Sequence, residues 1–330
     1  MTQRTRQPIE RNVAMELVRV TEAAAMSAAR HMGLGDKEMV DQAAVDAMRH
    51  TLDGVSMDGI VVIGEGEKDE APMLYIGEQI GDGSDPKVDI AVDPIDGTTL
   101  LSKGMPGAIA TIALSARGTM HVPADIFYMD KIAVGPGAAG VIDIEAPVET
   151  NLANIGKALG RKMGEITVAV LDRPRHEDLL KQIRGAGARV KLVPDGDIAT
   201  VIQAALPDSP IQAAMGIGGS PEGVLAAAAV RCTGGAIQCK PWPRNDEERQ
   251  AAIERGTDVD HIYDTMELVG GEDVFFSATG ASTGEMLRGV RFFAGGASTQ
   301  SLVMRSRSGT IRWIDSFHNF DRLDKIRYES

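Results

Sequence analysis

Cysteine is nearly absent: only Cys232 and Cys239 occur among 330 residues. That is too few for a disulfide framework or a structural zinc site. No apolar run reaches the roughly 18 residues a membrane helix needs. The opening Met-Thr-Gln-Arg-Thr-Arg-Gln-Pro has no apolar signal core and reads as a short disordered lead. These absences point to the reducing cytoplasm. An excess of basic charge is also missing. The formal net charge of −13 argues against a nucleic-acid surface, and a phosphorylated ligand would then need local positive charge, which bound metal ions can supply. Aromatic residues are only 4% of the chain, so stacking platforms for bases or sugars do not dominate. No low-complexity tract is present.

What is present is the composition of a globular protein, 43% hydrophobic and 25% charged, in a chain long enough for two domains or one large layered unit. Apolar positions Val13, Leu17, Val20, Ala24 and Ala28 form a helical stripe within residues 9–32, ended by Gly33 and Gly35. A second helix is expected from about Asp36 to Leu52 on Val40, Ala44 and Met48, with Asp41 at the edge of that stripe, a common place for a solvated carboxylate. The run Gly59-Ile-Val-Val-Ile-Gly64 reads as a buried strand delivering Glu65 between glycines, which let the backbone approach a ligand closely. Another strand is expected over 108–115.

The most informative stretch is Asp89-Ile-Ala-Val-Asp-Pro-Ile-Asp-Gly-Thr-Thr99. Its apolar run predicts a buried strand that stops at Asp93, because Pro94 cannot donate to a ladder and Gly97 permits a sharp turn. Asp93 and Asp96, held close at a strand end, repel unless a cation or proton intervenes, and hard divalent ions take such oxygen ligands.

The Gly- and Pro-containing segment 135–147 marks the expected boundary between an N-terminal metal-binding α+β domain (1–147) and an α/β substrate domain (148–330). Beyond it come three units of strand, polar turn and helix. The first runs from Ile166 to a helix through Leu179 and Ile183, the second from Val190 to a helix ending near Leu206, and the third from Ile211 to a helix over 223–231. Such alternation implies a parallel sheet with ligands outside the carboxyl ends of its strands. The three turns carry Arg173 and Arg175, Asp195 and Asp197, and Glu222. An exposed helix is expected over 244–257. Hairpins are expected from Val274 onward, and the pattern leaves open which sheet they join.

Taken together, Asp41, Glu65, Asp93, Asp96 and Glu222 could not share a pocket without cations. Two or three divalent ions would balance them, activate a water and stabilise an in-line phosphoryl displacement, with Thr98 placed to orient that water. No kinase or P-loop signature occurs, which favours water as the acceptor. Arg173 and Arg175 around Pro174, at a helix start, suit a second phosphate or are a pair of surface arginines. Asp195 and Asp197 around Gly196 suit sugar hydroxyls or form an Asx-type turn. His176 reads as a helix-start residue rather than a catalyst, and Tyr128 as a residue that needs a hydrogen-bond partner when buried. The Gly218-Gly-Ser-Pro-Glu-Gly223 turn places Glu222 in a first helical turn after Pro221.

The segment Asp93-Pro-Ile-Asp-Gly-Thr98 resembles the signature of the lithium-sensitive, metal-dependent sugar phosphatases. Further motifs narrow the resemblance: Gly35-Asp-Lys37 followed by Asp41, Gly64-Glu-Gly-Glu67, Asp69 through Glu78, Val134-Gly-Pro-Gly137, Arg173-Pro-Arg-His176, Pro194-Asp-Gly-Asp197, Gly218 to Gly223 and Phe276-Ser-Ala-Thr-Gly280. In this order, from about residue 10 to 320, the chain is similar to the class II fructose-1,6-bisphosphatases. The resemblance implies a layered αβαβα sandwich whose C-terminal part has a mostly parallel sheet. It implies Mg²⁺- or Mn²⁺-dependent hydrolysis of the 1-phosphate of fructose 1,6-bisphosphate, a gluconeogenic role and a homotetramer. By the same resemblance, Asp41 and Glu65 match ligands of one metal, and Asp93, Asp96 and Glu222 ligands of the other. Thr98 with Asp41 matches the water-activating pair. Asp96, Gly97, Thr98, Tyr128, Arg173, Pro174, Arg175, Asp195, Gly196, Asp197 and Gly219 match substrate contacts. Two positions depart from many members: Asp96 stands where they carry Glu, and Arg173 where some carry Lys, which adds a planar fork. Sedoheptulose 1,7-bisphosphate is a second expected substrate. An inositol phosphate leaves the motifs beyond residue 150 unexplained, and a silent sugar-phosphate binder does not account for the complete acidic set.

Overall fold

A computed structural model describes residues 12–65, 74–121 and 126–323. Residues 66–73, shared between the Gly64 to Glu67 and Asp69 to Glu78 motifs, lie outside them, as does the N-terminal lead. The first apolar stripe forms helix α1 (Val13–Ala29), burying Leu17, Val20, Ala24 and Ala28. Helix α2 (Lys37–Leu52) starts on Asp36, whose carboxylate accepts the Met39 N–H at 3.0 Å, satisfying a donor that a helix start leaves open. Strands β1 (Asp58–Ile63), β2 (Gln79–Ile80) and β3 (Lys87–Asp96) follow, then the short helix α3 (Thr98–Ser102) and β4 (Ile109–Ala116).

The chain then enters a second sheet with β5 (Tyr128–Val134). After helix α4 (Val148–Leu159) come β6 (Thr167–Leu171), α5 (Glu177–Gly185), β7 (Arg189–Val193), α6 (Asp197–Ala205), β8 (Ala213–Gly219) and α7 (Ser220–Thr233). Strand β9 (Ala236–Pro241), helix α8 (Asp246–Glu254), β10 (Tyr263–Asp264) and α9 (Thr265–Leu268) complete this part. It then returns to the first sheet with β11 (Phe275–Gly280), β12 (Arg291–Phe293), β13 (Gly296–Arg305) and β14 (Thr310–Asn319). The first sheet runs β12-β13-β11-β4-β3-β1-β2, with β14 paired to β13, and the second β10-β9-β5-β8-β6-β7.

Three apolar clusters define five layers. Helices α1 and α2 cover one face of the first sheet through Leu17, Val20, Met48, Ile90 and Ile112. Its other face, with Ala91 and Ala113, packs on α6 and α7, which also rest on Met129, Ala133 and Ala169 of the second sheet. Helices α4 and α5 cover the far face through Leu152, Ile155, Leu180 and Ile183. The order is α, β, α, β, α, the sandwich expected from the resemblance.

Three expectations need correction. Strand β3 does not stop at Asp93 but continues to Asp96. Asp93 pairs with Thr111 and Asp96 with Ile109, with a register shift between them, so Pro94 sits in a bulge where its missing N–H costs no ladder bond. The second sheet is mixed rather than mostly parallel. β6, β7 and β8 are parallel as the repeating units predict, but β5 pairs antiparallel with both β8 and β9, and β10 antiparallel with β9. By sheet membership the chain crosses over between Ala116 and Tyr128, before residue 147. The C-terminal hairpins complete the first sheet, where β11 pairs directly with β4. Helix α4 and strand β9 are additions to the expected elements.

Candidate active site

Strands of the two sheets end on a shared cavity of about 340 Å³. Its walls include Glu65, Asp93, Asp96, Gly97, Thr98, Tyr128, Arg173, Arg175, Asp195, Gly196, Asp197, Gly219 and Glu222, together with Lys37 and Phe127. Residues that the sequence scatters over nearly 160 positions therefore meet at one place. Asp41 reaches it through Thr98, whose hydroxyl donates to Asp41 Oδ1 at 2.7 Å and lies 3.0 Å from the Ile95 carbonyl. Pro174 starts the short 3-10 turn that separates the two arginines and does not itself line the cavity. A second cavity of similar volume lies at the far edge of the first sheet, against Phe292, Phe293 and Phe317. Among the described residues its one acidic lining residue, Asp315, is paired with Arg288.

The acidic end is electrostatically loaded. Glu65, an exposed side chain among the described residues, is pushed up to about 7 by loss of hydration at the cavity and then by Asp41 and Glu222. Asp96 also rises to about 7, through burial and the nearby Asp197 and Glu222, although the Ala199 amide pulls it back. Asp93 is driven well above the usual carboxylate range by burial and by Asp96, Glu65, Glu222 and Asp41. Burial raises Asp41 as well, opposed by the Thr98 hydroxyl and Lys37, and it raises Glu222, opposed by Lys131.

Glu222 Oε2 is buried with no hydrogen-bond partner in the structure. An orphaned carboxylate oxygen in a site that also feels the charges of Glu65, Asp93 and Asp96 is a donor set that fits hard divalent cations. As they stand, no three His, Cys, Asp or Glu side chains among the described residues are arranged to enclose one ion. Gly219 explains how Glu222 fits. Its φ of −61° suits any residue, but a Cβ there would overlap the Glu222 carboxylate.

Asp96 has a further task. Helix α6 begins at Gly196, which adopts a positive φ of 95° and has no side chain to cap the helix. Asp96, from the other sheet, accepts the Ala199 N–H at 3.0 Å and serves as that cap. Oδ2 of Asp96 thus ties the end of β3 to the start of α6.

The basic end is built on the β6 and β7 turns. Arg173 donates to Asp195 at 2.8 Å and to the Pro194 carbonyl, tying the two turns together. Arg175 donates through Nε and Nη2 to the Ile217 carbonyl at 3.2 and 3.0 Å, and its guanidinium stacks 4.8 Å from the centre of the Tyr128 ring.

His176 supports this end. Parallel β6 and β8 pair only at Val168–Ala213 and Ala169–Ala214 before diverging. The His176 ring fills the gap, with Nδ1 2.7 Å from the Leu171 carbonyl and Nε2 accepting the Ile217 N–H at 2.8 Å. These contacts fix a neutral ring with the proton on Nδ1, in line with a pKa lowered by burial despite the Leu171 carbonyl. Gly216, at φ 126°, leaves room for the ring. Because Ile217 also accepts from Arg175, we expect His176→Ala to destabilise the protein by about 1–3 kcal/mol and to raise KM for a bisphosphate more than it lowers kcat. Thermal denaturation and steady-state kinetics check this, and an unchanged KM would refute the link to Arg175.

Sequence reasoning missed Lys131, which lies behind the cavity wall. It is 4% exposed on β5, forms an ion pair with Asp197 and donates to the Gly219 carbonyl at 3.1 Å. Burial pulls its pKa down, but Asp197 and Glu222 outweigh that and hold it charged. The available signal was a lysine on the inward face of a strand otherwise marked by Met129 and Ala133. Lys37 lay within a quoted motif without an assigned role.

The family of bacterial, glpX-encoded fructose-1,6-bisphosphatases matches residues 11–318. The D-fructose 1,6-bisphosphatase class 2/sedoheptulose 1,7-bisphosphatase of Synechococcus sp. (strain JA-2-3B'a(2-13)) is 44% identical, over 95% of this chain and 97% of that one. The protein of the same description from Thermosynechococcus vestitus is also 44% identical, over 94% and 96%. Among solved structures, the extragenic suppressor protein suhB from Bartonella henselae aligns with 59% of this chain and 73% of its own at 15% identity, with a TM-score of 0.33. The near-complete family match and the full-length relatives establish that the chain belongs to the bacterial fructose-1,6-bisphosphatase family and is a phosphatase.

Proposed function

We propose that the protein hydrolyses the 1-phosphate of fructose 1,6-bisphosphate to fructose 6-phosphate and phosphate. The observation that carries the reading is the Thr98–Asp41 hydrogen bond, set at the rim of an acidic cavity whose other end presents two arginines. Divalent cations, Mg²⁺ or Mn²⁺, two or three per site and held by Asp41, Glu65, Asp93, Asp96 and Glu222, would neutralise phosphate charge and acidify a water. Thr98 Oγ1 donates its proton to Asp41 and keeps its lone pairs for a proton of the attacking water. As the water oxygen bonds to phosphorus, its proton passes to Thr98 and that of Thr98 to Asp41. The bond from phosphorus to the sugar oxygen breaks, that oxygen takes up a proton from solvent water, and Asp41 returns its proton to solvent. Arg173 and Arg175 suit the distant phosphate, Tyr128 and Gly219 form the wall between the ends, and Asp195 and Asp197 suit sugar hydroxyls.

The relatives' description favours a second substrate, sedoheptulose 1,7-bisphosphate. Its reacting end is the same and its extra carbon lies between the phosphates. The enzyme fits a cytoplasmic, gluconeogenic homotetramer. Phosphate release from both sugars with Mg²⁺ or Mn²⁺ tests the reading. We expect turnover of fructose 1,6-bisphosphate with measurable turnover of the seven-carbon sugar, and inactivity on both would overturn the assignment.

A further inference from the structure

We propose that Lys131 is a positioning residue that serves as a fixed internal counter-charge, strengthening the grip on sugar while weakening the grip on cations. The proposal rests on the phosphatase reading of the site. Lys131 projects from β5 opposite Gly216 on one neighbouring strand and Cys239 on the other. Its ammonium ties the Asp197 carboxylate, in the turn after β7, to the Gly219 carbonyl, at the end of β8. The turn that would hold sugar hydroxyls is thereby locked to the turn that opens α7, the helix carrying Glu222. The surrounding glycines are shaped for this lysine. A Cβ at Gly218 would collide with the Asp197 carboxylate and stand 2.7 Å from Lys131 Nζ.

Stability alone does not require such a residue. Met129 and Ala133, its neighbours on the same strand face, are fully buried, and buried ion pairs replaced by apolar groups often leave stability unchanged or increased. The location accounts for the charge. With Asp197 as its partner, Lys131 fixes a carboxylate that would otherwise be free to swing toward an ion. Its positive charge also opposes a cation on Glu222, and in a site screened from water that opposition is strong. One ammonium group therefore pulls the two ligand affinities in opposite directions.

This opposition separates the proposal from a merely structural role. Lys131→Met keeps the unbranched apolar stem as far as Cε and removes the ammonium with its charge. Mn²⁺ titrated into metal-stripped protein by calorimetry should bind the variant roughly threefold to tenfold more tightly than the wild type. KM for fructose 1,6-bisphosphate should rise at least about tenfold, because Asp197 loses a charge-assisted bond. The double variant Lys131→Met/Asp197→Asn removes both charges of this ion pair, so neither is left without the other, and it guards against misfolding of the single variant. It should return Mn²⁺ affinity toward the wild-type value while KM stays high. Mn²⁺ binding that weakens together with substrate binding in Lys131→Met would overturn the proposal. Wild-type protein that binds no Mn²⁺ would instead overturn the metal reading beneath it.

Discussion

Replacing Thr98 by Ala is expected to lower turnover by roughly 10²- to 10⁴-fold, the range for losing a positioned proton-transfer group, while substrate and cation binding change little. The reason is local. Thr98 is half-buried in the first turn of α3, and its side chain makes the 2.7 Å bond to Asp41. Alanine suits a helix at least as well, so the backbone and neighbouring acids should stay in place. What disappears is the hydroxyl hydrogen-bonded to Asp41, the oxygen that under the proposed function would receive a proton from the attacking water. Thr98→Ser keeps that oxygen and should retain most activity, though its side chain is less constrained at χ1. Single-turnover phosphate release with Thr98→Ala, alongside a binding titration, checks both halves. Wild-type turnover would remove Thr98 from the reaction.

Removing divalent cations should abolish turnover and change how stability depends on pH. Glu65 and Asp96 titrate near 7 in the folded protein, against ordinary values of 4.5 and 3.8, and Asp41, Asp93 and Glu222 are raised as well. Between about pH 4 and 7 the folded chain therefore holds more protons at these sites than the unfolded chain does. Stability contributed by these groups falls as pH rises through that window. Chelator-treated protein should melt at a higher temperature at pH 6 than at pH 8. A saturating cation favours the ionised carboxylates, so its stabilisation should be larger at pH 8, about 2.7 kcal/mol when its concentration is 100 times Kd, and binding should release protons. Melting curves with EDTA or Mg²⁺ at both pH values provide the test. Equal shifts at both pH values, or turnover that survives EDTA, would contradict the cation reading.

Most of the acidic site was legible because Glu65 and Asp93 end short apolar runs, whose strands fix where they point, and Glu222 follows one through a glycine-rich turn. Asp41 on α2 had no such signal. The three turns after β6, β7 and β8 converge as their repetition implies. The continuation of β3 past Pro94 was hidden, because a bulge depends on the register of the partner strand and not on the proline. The antiparallel entry of β5 was hidden for a related reason. Local periodicity identifies a strand but carries no record of its neighbour across 89 residues, as with Met129 opposite Gly218. Lys131 escaped notice because a lone inward lysine has meaning only once Asp197 and Gly219 are beside it. His176 was correctly placed at a helix start, yet its function as a bridge depends on a gap between two strands that sequence does not display.

The pairing of β11 with β4 also bears on how the enzyme is made. More than 150 residues separate these neighbours, since Ile112 lies opposite Ser277, and every strand of the second sheet is encoded between them. On the ribosome, β5 to β10 emerge before the first sheet can receive its remaining strands. The inserted half can form local contacts early, whereas β4 keeps an unpaired edge until translation passes residue 280. Such an edge invites association with other chains. The vulnerable interval in biosynthesis is therefore the wait for β11, and nascent chains halted before it should be the ones that depend on chaperones.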